Sequence, residues 1–139
     1  MGFSRNILPI GGKNPLKTEP IDCAVTGNNT NKITVSYPAG YYQFKVSFGY
    51  TQYDRSNESF YYRDSNGVDH SMFWMAAGDT GESPSFSLAD FVIDLTLWET
   101  PEAIKKKTSF TLICKPNNRN PHFYSFKAVG LRRVGGGGA

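Results

Sequence analysis

The sequence predicts an all-β domain, an antiparallel β-sandwich, and two alternations carry that reading. Tyr42, Phe44, Val46, Phe48 and Tyr50 alternate with Gln43, Lys45 and Ser47. That period of two puts one face of a strand in a core and the other in water. The same pattern returns at Phe91, Ile93, Leu95 and Leu97, with Val92, Asp94, Thr96 and Trp98 opposite. A helix would scatter these side chains around its circumference, whereas two strands bury them against each other or against a second sheet. Turn signals at near-regular spacing, with no alternation of helices and strands, extend this to about eight antiparallel strands in two sheets, the jelly-roll count. Strand order is not written in the sequence, so an immunoglobulin-like sandwich fits the same pattern.

At 139 residues the chain makes one domain with room for a real core. Hydrophobic residues make up 39% and charged ones 19%, which is too apolar for a disordered chain. Aromatics at 14% suit sheet better than helix. The net charge of +3 is spread along the chain, with basic clusters only at Lys105-Lys106-Lys107 and Arg132-Arg133. Nucleic-acid binders concentrate such residues into a patch, so no nucleic-acid partner is expected. Cys23 and Cys114 lie too far apart for a zinc or redox motif and read first as two buried free thiols, with a single disulfide left open. Pro9, Gly11 and Gly12 interrupt the N-terminal segment before it reaches signal length, and no window approaches a membrane span. A soluble protein made in a cytoplasm is expected, with no membrane partner.

Residues 1–20 read as an extended arm that either drapes over its own domain or lies on a neighbouring subunit. Phe3, Ile7, Leu8 and Ile10 show no useful period, and Pro9, Pro15 and Pro20 forbid a long helix. A sandwich domain is expected over 21–134. Its first strand runs from Ile21 to Val25, followed by a turn at 26–31, a strand from Ile33 to Tyr37 and a break at Pro38-Ala39-Gly40. The strand from Tyr41 to Tyr50 comes next, with Gly49 marking a bulge or close approach. Phe60-Tyr61-Tyr62 and His70 to Ala76 flank Asp64-Ser65-Asn66-Gly67, where Asn66-Gly67 is expected to supply the positive φ angles of a hairpin turn. Phe86 to Trp98 reads as a long strand kinked near Ala89-Asp90. Thr100 then caps one helical turn, with Pro101 at its first position and Glu102 near its positive end. Strands from Thr108 to Cys114 and from Phe123 to Leu131 complete the domain. Residues 135–139, four glycines and an alanine, read as a flexible tail.

Little of this points to catalysis. A metal or catalytic pair would need His70 and His122 to converge with a carboxylate such as Asp64 or Asp69, and their spacing makes no local ligand motif. No serine sits in a nucleophile elbow, and no phosphate loop or dinucleotide fingerprint is present. No enzyme, cofactor or metal is expected. The aromatic runs say more, because neighbouring rings on a strand point to opposite faces. If Tyr61 faces inward, Phe60 and Tyr62 face outward. With Trp74 and Trp98 they would form an outer aromatic patch, a contact surface for protein or carbohydrate.

The arm GFSRNILPIGGKNPLKTEP, the run ITVSYPAGYYQFKVSFGY and the ending LRRVGGGGA together resemble the jelly-roll head-decoration or cement proteins of tailed bacteriophages. The likeness spans the whole chain at the level of architecture. It implies a non-enzymatic virion protein, made in the host cytoplasm, that bridges capsid subunits, often as a homo-oligomer, with the major capsid protein or other virion subunits as partners. Read that way, Phe3, Ile7, Leu8 and Ile10 supply apolar contacts, while Arg5, Arg132 and Arg133 pair with acidic shell surface. A carbohydrate- or receptor-binding β-sandwich of a phage tail or other surface assembly is the alternative.

Overall fold

The computed structural model describes residues 16–51, 58–75, 85–115 and 122–134. Among them lie nine strands: β1 (Leu16–Asp22), β2 (Ala24–Thr26), β3 (Lys32–Ser36), β4 (Tyr41–Thr51), β5 (Glu58–Arg63), β6 (Asp69–Met75), β7 (Ser85–Asp94), β8 (Ser109–Lys115) and β9 (His122–Val134). One short helix, α1 (Pro101–Lys106), and a 3₁₀ turn at Leu95–Leu97 join β7 to β8. A four-stranded sheet in the order β1-β9-β4-β7 faces a five-stranded sheet in the order β2-β3-β8-β5-β6, with antiparallel pairing throughout. The protein is an all-β sandwich. The strands pair as nested hairpins: β1 with β9, β3 with β8, β4 with β7, β5 with β6.

The strand count exceeds the expected eight where the arm meets the body. Leu16 to Pro20, expected in the arm, belong to β1, which pairs Leu16 with Val134. Pro20 is tolerated because β1 is an edge strand and its register breaks between Thr18 and Ile21. The chain then passes through Cys23 into β2 on the other sheet. Residues 1–15, with Phe3, Arg5, Ile7, Leu8 and Ile10, and the tail at 135–139 lie outside the described residues.

β4 supplies the centre of the core. Phe44, Val46 and Tyr50 have no exposed surface and Phe48 has little. At its start the face slips: Tyr41 is buried and Tyr42 only half so, because the β4–β9 register shifts on both sides of Gln43. Two further shifts meet at Phe48. On β7, Ala89 and Asp90 oppose the single residue Ser47, and Asp90 takes a φ of 58°. That is the expected kink, and the Asp90 N–H donates to Ser47 Oγ at 3.0 Å. On β9, Ser125 and Phe126 oppose Phe48, and Ser125 takes a φ of 52°. Each is a β-bulge, which bends the strand and re-aims the side chains beyond it. Tyr124 is therefore only half-buried, while Phe123 and Phe126 both reach the core. Phe126 stacks on Phe48 at 5.1 Å, and Phe123 meets it edge-on at 5.2 Å.

The long strand expected to Trp98 stops at Asp94. Its carboxylate accepts from the Thr96 N–H at 2.9 Å and caps the 3₁₀ turn, so Leu95 stays buried while Leu97 is 71% exposed. α1 forms as its caps predict, with Thr100 Oγ1 accepting from the Ala103 N–H at 3.1 Å. The β5–β6 turn differs in detail. Only Gly67 takes a positive φ, at 81°, while Asp64 Oδ1 accepts from the N–H groups of Asn66 and Val68. An Asx turn with one left-handed glycine replaces the expected pair.

Among the described residues every sheet edge is interrupted. β1 carries Pro20 and its register break, β2 is three residues long, β6 bulges at Met72 and β7 at Asp90.

Gly49 has no positive φ, yet a Cβ there would lie 2.2 Å from the Tyr124 ring. Gly49→Ala is expected to destabilise the fold by about 1–3 kcal/mol. Tyr124→Ala should remove most of that penalty. Denaturant unfolding of both single variants and the double variant measures the coupling.

Candidate functional site

One end of the sandwich gathers the β5–β6 hairpin, the 3₁₀ turn and α1. The hairpin brings Tyr62, Asp64, Ser65 and His70 there, and the turn before α1 brings Trp98 and Glu99. Nothing in the sequence singles out Glu99, which lies just before the Thr100-Pro101 cap and is fixed in place by that cap. Its side chain is only 3% exposed. The Tyr62 hydroxyl donates to Glu99 Oε2 at 2.6 Å, and the Ser65 N–H donates to the same oxygen at 3.1 Å. Lys107, in the residue closing α1, places Nζ 3.5 Å from Glu99 and donates to Ser65 Oγ at 3.1 Å. A buried carboxylate needs such partners, because desolvation alone would cost several kcal/mol.

Burial, then the hydrogen bond to Glu99, push the Tyr62 hydroxyl far above its ordinary pKa. Tyr37 is raised as well, by burial first and then by the Glu99 charge. Its hydroxyl is buried with no hydrogen-bond partner among the described residues. Beside this knot, His70 Nε2 lies 2.7 Å from Asp64 Oδ2, and that bond first, then the bond from Val68, draws the Asp64 carboxyl below its ordinary range. Trp98 stacks on Tyr62 with centroids 4.6 Å apart. On the outer face of the five-stranded sheet, Arg63 holds Asp69 through Nε at 2.7 Å and its second nitrogen at 3.1 Å. Lys115 reaches the same carboxylate at 2.8 Å while lying over the Tyr61 ring.

The expected outer aromatic patch is corrected in half of its members. Phe60 is 1% exposed and Tyr62 0%, so both face the core and Tyr61 faces out. Sequence left that parity open. Packing decides it, because Phe60 meets Tyr50 and Phe73 while Tyr62 meets Trp98 and Phe110. Trp98 is half-buried against Tyr62. Trp74 stands in β6 opposite Ser59, and its side chain lies outside the described residues. Among the strap residues, Arg132 is exposed, whereas Arg133 is half-buried with its guanidinium 5.6 Å from the Tyr41 ring centre.

The two histidines do not converge. His122 pairs with Thr51 at the far end of β4, away from the hairpin that carries His70. Ser65 Oγ accepts from an ammonium, which has no lone pair to take its proton, so this serine is not an activated nucleophile. No cluster of metal-ligating side chains occurs among the described residues. The constellation links hairpin, turn and helix at one end of the sandwich.

Glu99→Ala leaves Lys107 and the Tyr62 hydroxyl without their partner, and is expected to cost about 3–5 kcal/mol in denaturant unfolding. Asp69, drawn down to about 2 chiefly by Arg63, makes a separate acid-side contribution. A carboxyl whose folded pKa is depressed stabilises above its unfolded value and loses that contribution as pH falls through the folded one. The loss therefore falls between about pH 4 and pH 2. Asp69→Asn should flatten the stability curve in that window alone, read from unfolding midpoints across the range.

Comparison with protein-family profiles finds no match, and no curated protein or solved structure matches the chain.

Proposed function

We propose that this chain is a non-enzymatic structural protein of a virion, one that decorates or cements a phage capsid by bridging neighbouring subunits. The finer reading of its fold is a jelly roll. If β1 and β2 count as one strand bent at Cys23, the body has eight strands, paired first with last inward to β5 with β6. Such a rolled strip of nested hairpins supports the jelly-roll reading.

One observation carries the functional reading. Leu16 and Val134 are register partners, so the arm and the tail leave the body side by side. They leave at the pinned end, where the Val134 N–H bonds the carbonyl of Gly40 in the β3–β4 turn. A rigid body with two straps from one end suits a part that spans a subunit boundary. Its interrupted edges make strand addition a poor means of attachment, which leaves the straps to reach the major capsid protein or other virion subunits. Phe3, Arg5, Ile7, Leu8 and Ile10 of the arm, with Arg132 beside the tail, are the assigned contacts. Arg133 is committed to Tyr41 and belongs to the body instead. The alternative, a carbohydrate- or receptor-binding module, loses Phe60 and Tyr62 to the core and is not preferred.

Deleting residues 2–12 is expected to leave the unfolding midpoint unchanged and to abolish incorporation into particles. Immunoblotting of purified particles reads the outcome. Incorporation at the normal level would overturn the strap role.

A further inference from the structure

Asn66-Gly67, at the tip of the β5–β6 hairpin, is the only Asn-Gly pair in the sequence. The Asn66 side-chain carbonyl carbon, Cγ, lies one five-membered ring away from the backbone nitrogen of Gly67, and both residues are exposed to water. A side chain at position 67 would obstruct an approach between these atoms. Glycine has none, and even a Cβ built there would meet nothing within 4 Å. The Asn66 backbone N–H is held, donating to Asp64 Oδ1 at 2.8 Å, while no hydrogen bond among the described residues holds its side-chain amide. Asn28 and Asn31 of the β2–β3 turn differ on both counts. Asn28 Oδ1 accepts from the Phe126 N–H at 3.0 Å, and Asn31 Nδ2 donates to the Cys114 carbonyl at 2.9 Å. Each also precedes a residue with a substantial side chain, Asn29 or Lys32.

We propose that Asn66-Gly67 is a site of spontaneous covalent modification in the folded protein, where the chain converts its own amide to aspartate and isoaspartate and loosens the knot around Glu99. The Gly67 nitrogen gives its proton to solvent and bonds to Asn66 Cγ. The side-chain nitrogen takes a proton from solvent and leaves as ammonia, which closes a succinimide. Attack of water on Cγ then restores the ordinary backbone with an aspartate. Attack on the main-chain carbonyl carbon instead routes the backbone through the side chain, as isoaspartate. Water is the co-reactant, and no electrons are exchanged. One bond opposes the first step: the Gly67 N–H donates to the Asp64 carbonyl at 2.9 Å, so attack waits until that bond opens. An exposed bond at a hairpin tip opens locally, without unfolding of the body. Isoaspartate adds a methylene to the main chain inside a turn with little slack. Asp64 Oδ1 spans that turn to the Val68 N–H at 2.9 Å, and the neighbouring Ser65 N–H reaches Glu99 Oε2 at 3.1 Å. Lengthening the backbone between these points draws Ser65 away from Glu99, whereas aspartate changes only the charge at an exposed position, where solvent screens it. The inference is independent of the strap reading.

The test incubates the full chain, folded and in urea, in mildly alkaline buffer. Mass spectrometry and enzymatic methylation of isoaspartate follow the peptide that spans position 66. The folded chain should accumulate isoaspartate there, more slowly than in urea, while Asn28 and Asn31 keep their amides. An amide at 66 that persists in the folded chain through an incubation that converts it in urea would overturn the proposal, as would earlier conversion at Asn28 or Asn31. The isoaspartate form, separated by chromatography, is then compared with Asn66→Asp, which has the same charge and an unaltered backbone. Its Ser65 amide should exchange with solvent about tenfold faster or more, and its unfolding midpoint should be lower. Equal exchange and equal midpoints would overturn the loosening of the knot.

Discussion

The placement of Phe48 between two strands that each carry one residue too many is the constraint on which the sandwich depends. β7 bulges opposite Ser47 and β9 bulges opposite Phe48, so the two irregularities flank β4 at one level. Each requires a non-glycine residue at positive φ, a conformation that costs on the order of a kcal/mol or more. The core offsets that cost. The β9 bulge lets Phe123 and Phe126, three apart, both face inward. There they enclose Phe48 and carry contact to Phe60 on the opposite sheet, with Phe123 and Phe60 at 5.7 Å. A regular β9 would turn one of those rings toward water.

The two long alternations were legible because strand periodicity is a local property. Phe44 to Tyr50, Phe110 to Cys114 and the capped turn at Thr100-Pro101 arise directly from it and from local capping chemistry. The features that stayed hidden depend on partners distant in sequence. The run Phe60-Tyr61-Tyr62 reads equally well in either parity, and only packing against Tyr50, Phe110 and Trp98 chooses one. The kink at Ala89-Asp90 was visible, but the Ser125 bulge was not, since the alternation of Tyr124, Phe126 and Ala128 runs through it unbroken. Leu97 continued the apolar pattern while the Asp94 cap turned it outward. Of the candidate site, the Asp64–His70 proximity could be read from one hairpin. Glu99, Tyr62 and Lys107 meet across three segments and carry no shared motif.

The knot around Glu99 ties these levels together. It joins a core tyrosine, a hairpin tip, a 3₁₀ turn and the close of α1 through one carboxylate. The same end carries Leu16 and Val134, which are register partners.

The broken edges have a consequence for how crowded such a protein can be. A sheet with a long, even border is a template on which further copies stack into ribbons and, in time, fibrils. Here a proline, a three-residue strand and two extra residues deny each border the uninterrupted run of N–H and carbonyl groups that stacking requires. Many copies could then sit shoulder to shoulder at very high local density without seeding amyloid.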